Sequence, residues 1–106
     1  MAEPNFQVVK ITTDETYALR TAVLRAGTPT SDPKYAEDSK HGTVHLGIFD
    51  ANKILIATST WVINQWQEDP SAIAIQLRGM AVATSHQKSG LGKLLLDSGI
   101  THAKTL

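Results

Sequence analysis

The chain has 106 residues, 42% hydrophobic and 19% charged, a balance that indicates a folded globular protein and excludes a disordered one. Ten basic and ten acidic side chains give a net charge of zero, which does not support a nucleic-acid or anionic-membrane partner. The absence of cysteine excludes disulfides, cysteine-ligated metals and thiol nucleophiles. Without a signal-peptide pattern or a long apolar run, we expect one cytoplasmic domain over residues 1–106.

The first half of the chain predicts a strand, a helix and a hairpin. Thr12 with Glu15 three residues later is a capping-box pattern at a helix start, and Gly27 with Pro29 indicates the helix end. A polar loop containing a turn of helix follows over 28–42. The predicted strands of this half are Phe6–Ile11, Thr43–Phe49 and Lys53–Ile63, the last two joined at Asp50-Ala-Asn52.

The second half predicts a turn, a long strand and a final helix. Asn64–Ser71 is the turn, ended by Pro70, and Ala72–Val82 is the strand. Gly79 interrupts the alternation of this strand, where glycine usually marks a bulge or a close backbone approach. The last helix is predicted over Gly90–Thr105. The order β-α-β-β-β-α predicts an α+β fold with a mixed, largely antiparallel sheet.

The segment Gln87-Lys-Ser-Gly-Leu-Gly92 has the composition of a phosphate-binding loop. The first N–H groups of a helix have no partner inside it and lie at the positive end of its dipole, so they can bind an anion. Gly90 and Gly92 remove side chains that would keep a phosphate from this backbone. A Walker A loop is excluded because its first glycine and its Ser/Thr are missing, and a dinucleotide-binding turn because its third glycine is missing.

The same six residues match every fixed position of the pattern Q/R-x-x-G-x-G/A. Together with the preceding run Leu77-Arg-Gly-Met-Ala-Val82, they resemble the central acetyl-CoA motif of the GNAT N-acetyltransferase superfamily. The resemblance covers Ile73–Thr105, and less specific motifs extend it back to Phe6. It implies a GNAT-like sheet in which a bulge at Gly79 opens a slot for the pantetheine arm of acetyl-CoA.

The resemblance also implies an activity and a binding site. The activity is transfer of an acetyl group from acetyl-CoA, the cosubstrate, to a primary amine of a small molecule or a protein; no metal is implied. The strand end would pair with the pantetheine, and the loop N–H groups would hold the pyrophosphate. The implied cofactor-binding residues are Met80, Ala81, Val82, Gln87, Lys88, Ser89, Gly90, Leu91, Gly92 and Lys93.

The sequence does not identify the catalytic acid and base. The amine must lose a proton, and the oxyanion needs a donor, which in this family is a backbone N–H near Met80 or Val82. Gln76 and Arg78 stand where many relatives carry an acid. Three groups of candidates stay open. His41 and His45 titrate near neutrality and are candidate bases. Asp32, Glu37 and Asp38 attract an amine or are simply solvated, and Trp61 and Trp66 line a pocket or pack in the core.

The resemblance covers an incomplete domain, because GNAT domains continue after this helix with a strand that forms the other side of the slot. We therefore expect residues 72–82 to form an exposed edge that pairs with a second copy, giving a homo-oligomer. Two alternatives to an active enzyme stay open: a catalytically silent CoA-binding or oligomerisation module, and a fragment without activity. The acceptor amine is not predicted.

Overall fold

A computed structural model describes residues 6–24, 36–66, 69–87 and 89–105. The strands are β1 (Val9–Ile11), β2 (Val44–Phe49), β3 (Leu55–Trp66) and β4 (Asp69–Val82). Between β1 and β2 lies the first helical segment, which runs through a 3-10 turn, an α-helical turn (α1) and a π-helical turn: Asp14–Thr16, Tyr17–Leu19 and Arg20–Leu24. Two 3-10 turns and the last helix complete the described chain: Ala36–Ser39, Thr84–His86 and α2 (Leu91–Ala103).

The strands form one sheet in the order β1-β2-β3-β4, and each neighbouring pair is antiparallel. The predicted α+β order is confirmed. In the described part of the sheet, β4 is an outermost strand and its edge away from β3, the free edge, has no strand partner. Pairing of this edge with a second copy stays a prediction, as does the single domain over 1–106. None of the described helices has the length and apolarity needed to cross a membrane.

The predicted turn at Asn64–Ser71 is wrong. β3 continues to Trp66 and β4 begins at Asp69, so most of the segment belongs to a hairpin of two long strands. Pro70 lies inside β4, where proline is tolerated because an outermost strand does not need every N–H for a ladder. In the opposite direction, β1 is shorter than predicted, because it pairs with β2 only from Val9 to Ile11.

Two local patterns near helix and hairpin ends are confirmed. The Thr12 N–H donates to Glu15 Oε1 at 2.9 Å, and the Glu15 N–H donates to Thr12 Oγ1 at 3.4 Å, the reciprocal bonds of a capping box. At the β2–β3 turn, Asp50 Oδ1 accepts hydrogen bonds from the N–H groups of Asn52 and Ile54. Lys53 has φ +63° and belongs to this turn, so β3 begins later than predicted. The predicted helix end at Gly27 and Pro29 lies outside the described residues.

The two faces of the sheet are covered by different elements. On the α2 face, helix and strands form an apolar core that contains Leu46, Ile48, Ile56, Ala57, Trp61, Leu91 and Leu95. Gly99 fits directly against Trp61, since a Cβ at this glycine would lie 1.8 Å from the indole ring. Trp61 is therefore a core residue and not a pocket wall. On the polar face, the first helical segment and the Ala36–Ser39 turn lie over His45 and Thr60.

Candidate functional site

The predicted bulge in the long strand is confirmed. Thr58 pairs with Ala81 and Thr60 pairs with Arg78, so three steps along β4 match two steps along β3. Gly79 lies within the extra step and has φ +65°, a conformation that side chains disfavour. The bulge bends β4 immediately before the residues expected to contact the pantetheine arm.

Past the bulge, Val82 presents its backbone groups to the free edge. The N–H of Ala83 donates to the carbonyl oxygen of Ile56 at 2.8 Å and is thus directed toward β3. Because backbone groups alternate along an extended chain, those of Val82 face the other way. The Val82 carbonyl accepts a hydrogen bond from Gln87 Nε2 at 3.1 Å, which ties the loop to the end of the strand.

The loop leads directly into α2 and exposes the start of that helix. Gly90 is the N-cap residue and has φ +85°, a left-handed conformation. The N–H of Leu94 donates to the Gly90 carbonyl at 3.1 Å, the first hydrogen bond of the helix. The N–H groups of Leu91, Gly92 and Lys93 lie ahead of that bond, and they are the donors that a helix start offers to an anion. The Ser89 hydroxyl donates to the His86 carbonyl and closes the turn before them.

Gly92 is not required by the packing of the chain itself. An added Cβ would meet only Met80 Sδ, at the ordinary contact distance of 3.7 Å, so there is room for a side chain. Alanine would also favour the helix over glycine. Glycine here suits a ligand that approaches the backbone closely, as a phosphate does. The same contact places the start of α2 beside the β4 bulge.

Most of the predicted binding residues thus lie at one end of β4. The strand end, the loop and the helix start adjoin one another, and Lys88 falls outside the described residues. The Lys93 ammonium forms an exposed ion pair with Asp97 at 2.8 Å. The hydrogen bond that Lys93 donates to Asp97 raises the pKa of Lys93, and the side chain is engaged along the helix. Lys93 is therefore available to a bound anion through its backbone N–H more readily than through its side-chain charge.

His45, a predicted base candidate, lies in a buried polar cluster on the other side of the sheet. Arg20 forms two hydrogen bonds with the Asp38 carboxylate, at 2.8 and 2.9 Å, and a third with Thr60 Oγ1 at 2.7 Å. The ring nitrogens of His45 contact Thr60 Oγ1 at 2.8 Å and Thr13 Oγ1 at 2.9 Å. The side chains of Arg20, His45 and Asp38 are 0%, 5% and 7% exposed.

This environment makes His45 a poor catalytic base. Burial lowers its pKa, Asp38 opposes that effect and Arg20 adds to it. Both ring nitrogens already have hydroxyl partners, and the ring is enclosed. The interpretation of Asp38 as a solvated loop acid is wrong, because its carboxylate is paired with Arg20. Of the other candidates, His41 is exposed just before β2, whereas Asp32 and the side chains of Glu37 and Trp66 lie outside the described residues.

The sequence did not identify Arg20 as a buried residue of this cluster. The residue lies four positions after Thr16, which is also fully buried, so both occupy the inner side of the helical segment. A basic side chain at an inner position of a helix requires a buried acid as its partner, and this pattern could have indicated the pair from the sequence.

Comparisons with known proteins relate the chain to acetyltransferases. No family model matches the chain. It is 33% identical over 94 residues to YitI, an uncharacterized N-acetyltransferase of Bacillus subtilis. The match covers 85% of this chain and 60% of YitI, so the chain spans about 60% of that relative's length.

Solved structures share the fold at low sequence identity. A GCN5-related glucosamine N-acetyltransferase region of a fungal multi-domain enzyme has a TM-score of 0.76 at 18% identity, covering 96% of this chain and 12% of that one. Glucosamine-6-phosphate N-acetyltransferase from Arabidopsis thaliana has a TM-score of 0.69 at 16% identity, covering 96% and 76%. An aminoglycoside antibiotic 6′-N-acetyltransferase from Acinetobacter baumannii has a TM-score of 0.70 at 15% identity, covering 95% and 73%.

Proposed function

We propose that the chain is a GNAT-type N-acetyltransferase that binds acetyl-CoA along the free edge of β4 and transfers the acetyl group to a primary amine. The observation that carries the proposal is the position of the bulge at Gly79 beside the start of α2. One strand end thereby offers a backbone edge and a helix N-terminus to the same extended ligand.

The pyrophosphate of acetyl-CoA would lie over the start of α2. The N–H groups of Leu91, Gly92 and Lys93 precede the first helical hydrogen bond and point out of the helix with its positive dipole end. The left-handed backbone of Gly90 turns the chain into the helix immediately before these groups. The space beside Gly92 admits a phosphate oxygen, and a side chain would fill it.

The pantetheine arm and the thioester would lie along the edge of β4 beyond the bulge. The Val82 backbone faces that edge, so its N–H can donate to the arm or to the thioester oxygen. In the reaction, the amine nitrogen attacks the thioester carbon and gives a tetrahedral oxyanion. The C–S bond then breaks, the CoA thiolate takes up a proton, and the acylated nitrogen loses one. A backbone donor aimed at the oxyanion stabilises the transition state more than the ground state.

The amine would reach the thioester already neutral or lose its proton to water. Residues 74–82 of β4 contain no acid and no histidine, and His45 is enclosed in its cluster. Gln76 and Arg78, which precede the bulge in β4, do not accept a proton at neutral pH. We therefore expect turnover to follow the neutral fraction of the amine as pH rises.

The first experiment compares thermal unfolding with and without acetyl-CoA for the wild type and for Gly92→Glu, since the loop pattern itself accepts alanine at this position and a long acidic side chain would exclude a phosphate. Ligand at about 100 times its Kd should stabilise the wild type by about 2.7 kcal/mol, which for a domain of this size raises Tm by about ten degrees or more. Without ligand, Gly92→Glu should melt at the same temperature or higher, because glutamate favours a helix over glycine and its negative charge suits the first turn. Its ligand-induced shift should largely disappear.

Thr101→Glu is the matched control, which places the same new side chain at an exposed position of the same helix, two turns or more from its start. It should keep the full ligand-induced shift. A Gly92→Glu protein that binds acetyl-CoA as the wild type does would show that the pyrophosphate lies elsewhere. Release of CoA that depends on an added amine would then separate a transferase from a silent CoA-binding module, which binds without release. A fragment without ligand function would show neither.

A further inference from the structure

The buried cluster of Arg20, Asp38, His45, Thr13 and Thr60, called here the polar-face cluster, joins three parts of the chain. Thr13 and Arg20 come from the first helical segment and its start, Asp38 from the Ala36–Ser39 turn, and His45 with Thr60 from the sheet. Every hydrogen bond between these residues crosses from one part to another, except the bond between neighbouring strands. The cluster thus supplies polar contacts that hold the covering elements on the sheet.

We propose that His45 is a positioning residue, whose neutral ring holds the first helical segment on the polar face of the sheet and whose protonation releases it. His45 touches neither the cofactor edge nor the proposed reacting atoms. It would act on acetyl transfer only through the position of the elements over that face. This kinetic part rests on the proposed function, whereas the release of the segment does not.

The hydrogen bonds of the cluster suit a neutral imidazole. Thr60 Oγ1 accepts from Arg20, which leaves the threonine proton to be donated to His45 Nδ1. His45 Nε2–H can then donate to Thr13 Oγ1. A second proton, on Nδ1, turns that acceptor into a donor, so Thr60 Oγ1 would accept from both His45 and Arg20 and its own proton would lose its acceptor. It also adds a positive charge where Arg20 is already buried.

The charges around His45 are few in the described part of the chain. Arg20 and Asp38 face it directly, and Asp38 Oδ1 lies 3.9 Å from Nε2, beyond hydrogen-bonding distance. On β1, the residue opposite His45 is the uncharged Ile11, and on β3 it is Thr60. Further out, Arg78 pairs with Thr60 in the β4 register, and the Glu15 carboxylate accepts hydrogen bonds from Thr12. Among the residues that the structure describes, Asp38 is the facing acid that could balance a new charge, and it is already bonded twice to Arg20.

The sign of the pH effect follows from the lowered pKa of His45. The released form has an ordinary histidine pKa near 6.5 and takes up a proton before the closed form does. The closed state therefore keeps its full stability above about pH 6.5 and loses it as pH falls, by up to about tenfold per pH unit until the lowered pKa is reached.

The test is amide hydrogen exchange of the wild type between about pH 7.5 and about pH 5.5, corrected for the intrinsic pH dependence of exchange, across the range in which histidine titrates. Protection of Asp14–Leu24 should fall with pH relative to that of Leu91–Ala103. The NMR signal of the His45 ring should titrate below about pH 6.5, and the loss of protection should level off once the ring is protonated. A ring that titrates while the segment stays protected overturns the proposal, as does equal loss from both segments.

The His45→Gln variant removes the titrating group and keeps a polar side chain, and His102→Gln is the matched control in the last turn of α2. Protection of Asp14–Leu24 should no longer depend on pH in His45→Gln and should respond as in the wild type in His102→Gln. A pH response that persists in His45→Gln overturns the proposal. If His45→Gln does not fold, the wild-type comparison of ring titration and protection still decides.

The kinetic readout separates this proposal from the proposed function. In the wild type, kcat of amine-dependent CoA release should show an additional decrease on the acid side that His45→Gln lacks, with the KM for acetyl-CoA unchanged. A wild type that releases no CoA at any pH contradicts the proposed function and leaves the exchange test standing. An acid-side decrease that is identical in both proteins contradicts the positioning role alone.

Discussion

The two faces of the sheet are stabilised by different physics. On the α2 face, Leu91 and Leu95 pack against Ile48 and Trp61, and burial of apolar area provides the stabilisation. On the polar face, fully buried groups such as Arg20 and Thr60 are held by hydrogen bonds and by the ion pair of Arg20 with Asp38. Apolar packing tolerates gradual change, whereas a buried charge is stable only while its partner is present. The polar face should therefore respond more sharply to a single substitution.

The largest effect is expected from Asp38→Asn. Arg20 is completely buried, so loss of the carboxylate leaves its charge uncompensated and should destabilise the protein by about 3–5 kcal/mol. Equilibrium unfolding in urea measures this change. Asp97→Asn is the control, since it breaks an exposed ion pair that water already screens, and the midpoint should hardly move.

A double variant decides whether the lost partner causes the effect. Arg20→Met with Asp38→Leu removes both charges and supplies apolar side chains, so much of the lost stability should return. A loss under about 1 kcal/mol in Asp38→Asn would mean that Arg20 is solvated, contrary to its burial.

Two positions of α2, Gly99 and Gly92, are occupied by glycine for different physical reasons. Gly99→Ala should destabilise the protein by about 1–3 kcal/mol, because the new methyl group would overlap the Trp61 ring and force it to move. Gly92→Ala on the same helix should cost no stability. Urea unfolding of both variants measures the contrast, and Trp61→Phe should partly rescue Gly99→Ala by making room. Equal effects at the two positions would contradict the close packing of Gly99.

What could be predicted from the sequence is what neighbouring residues determine. Gly79 and Gly90 each adopt a positive φ that glycine accommodates, and a glycine within a strand or before a helix indicates such a backbone. Thr12 and Glu15 form their capping box from their spacing alone. Local features of this kind allowed the bulge, the helix starts and the order of the elements to be predicted, and the GNAT resemblance depends on them.

What could not be predicted depends on residues distant in the chain. Arg20 and Asp38 are 18 positions apart, and their pairing requires the helical segment and the Ala36–Ser39 turn to meet on one face. Gly99 is explained only by Trp61, which comes from a different element. The length of β3 follows from its pairing with β4, and this pairing overrides the turn that Pro70 indicated. His45 was a base candidate on its chemistry, and its burial decides against that role.

The smallest effect is expected at Gln87, where the loop is tied to the strand. Gln87→Ala removes the hydrogen bond to the Val82 carbonyl, which is exposed and worth about 1 kcal/mol, so the Kd for acetyl-CoA should rise about fivefold. Global stability should barely change, because the bond fixes a loop and not the core.

Gln87→Arg and Gln87→Glu identify the cause. Arginine also carries N–H donors, so Gln87→Arg should restore most of the affinity. A glutamate oxygen would face the Val82 carbonyl oxygen, so Gln87→Glu should bind acetyl-CoA no better than Gln87→Ala does. Calorimetric titration of the three variants measures the order. If arginine and glutamate bind alike, the side chain at this position does not act as a donor to Val82. Because this bond fixes the backbone that faces the free edge, the comparison tests whether the loop and the strand form one binding surface.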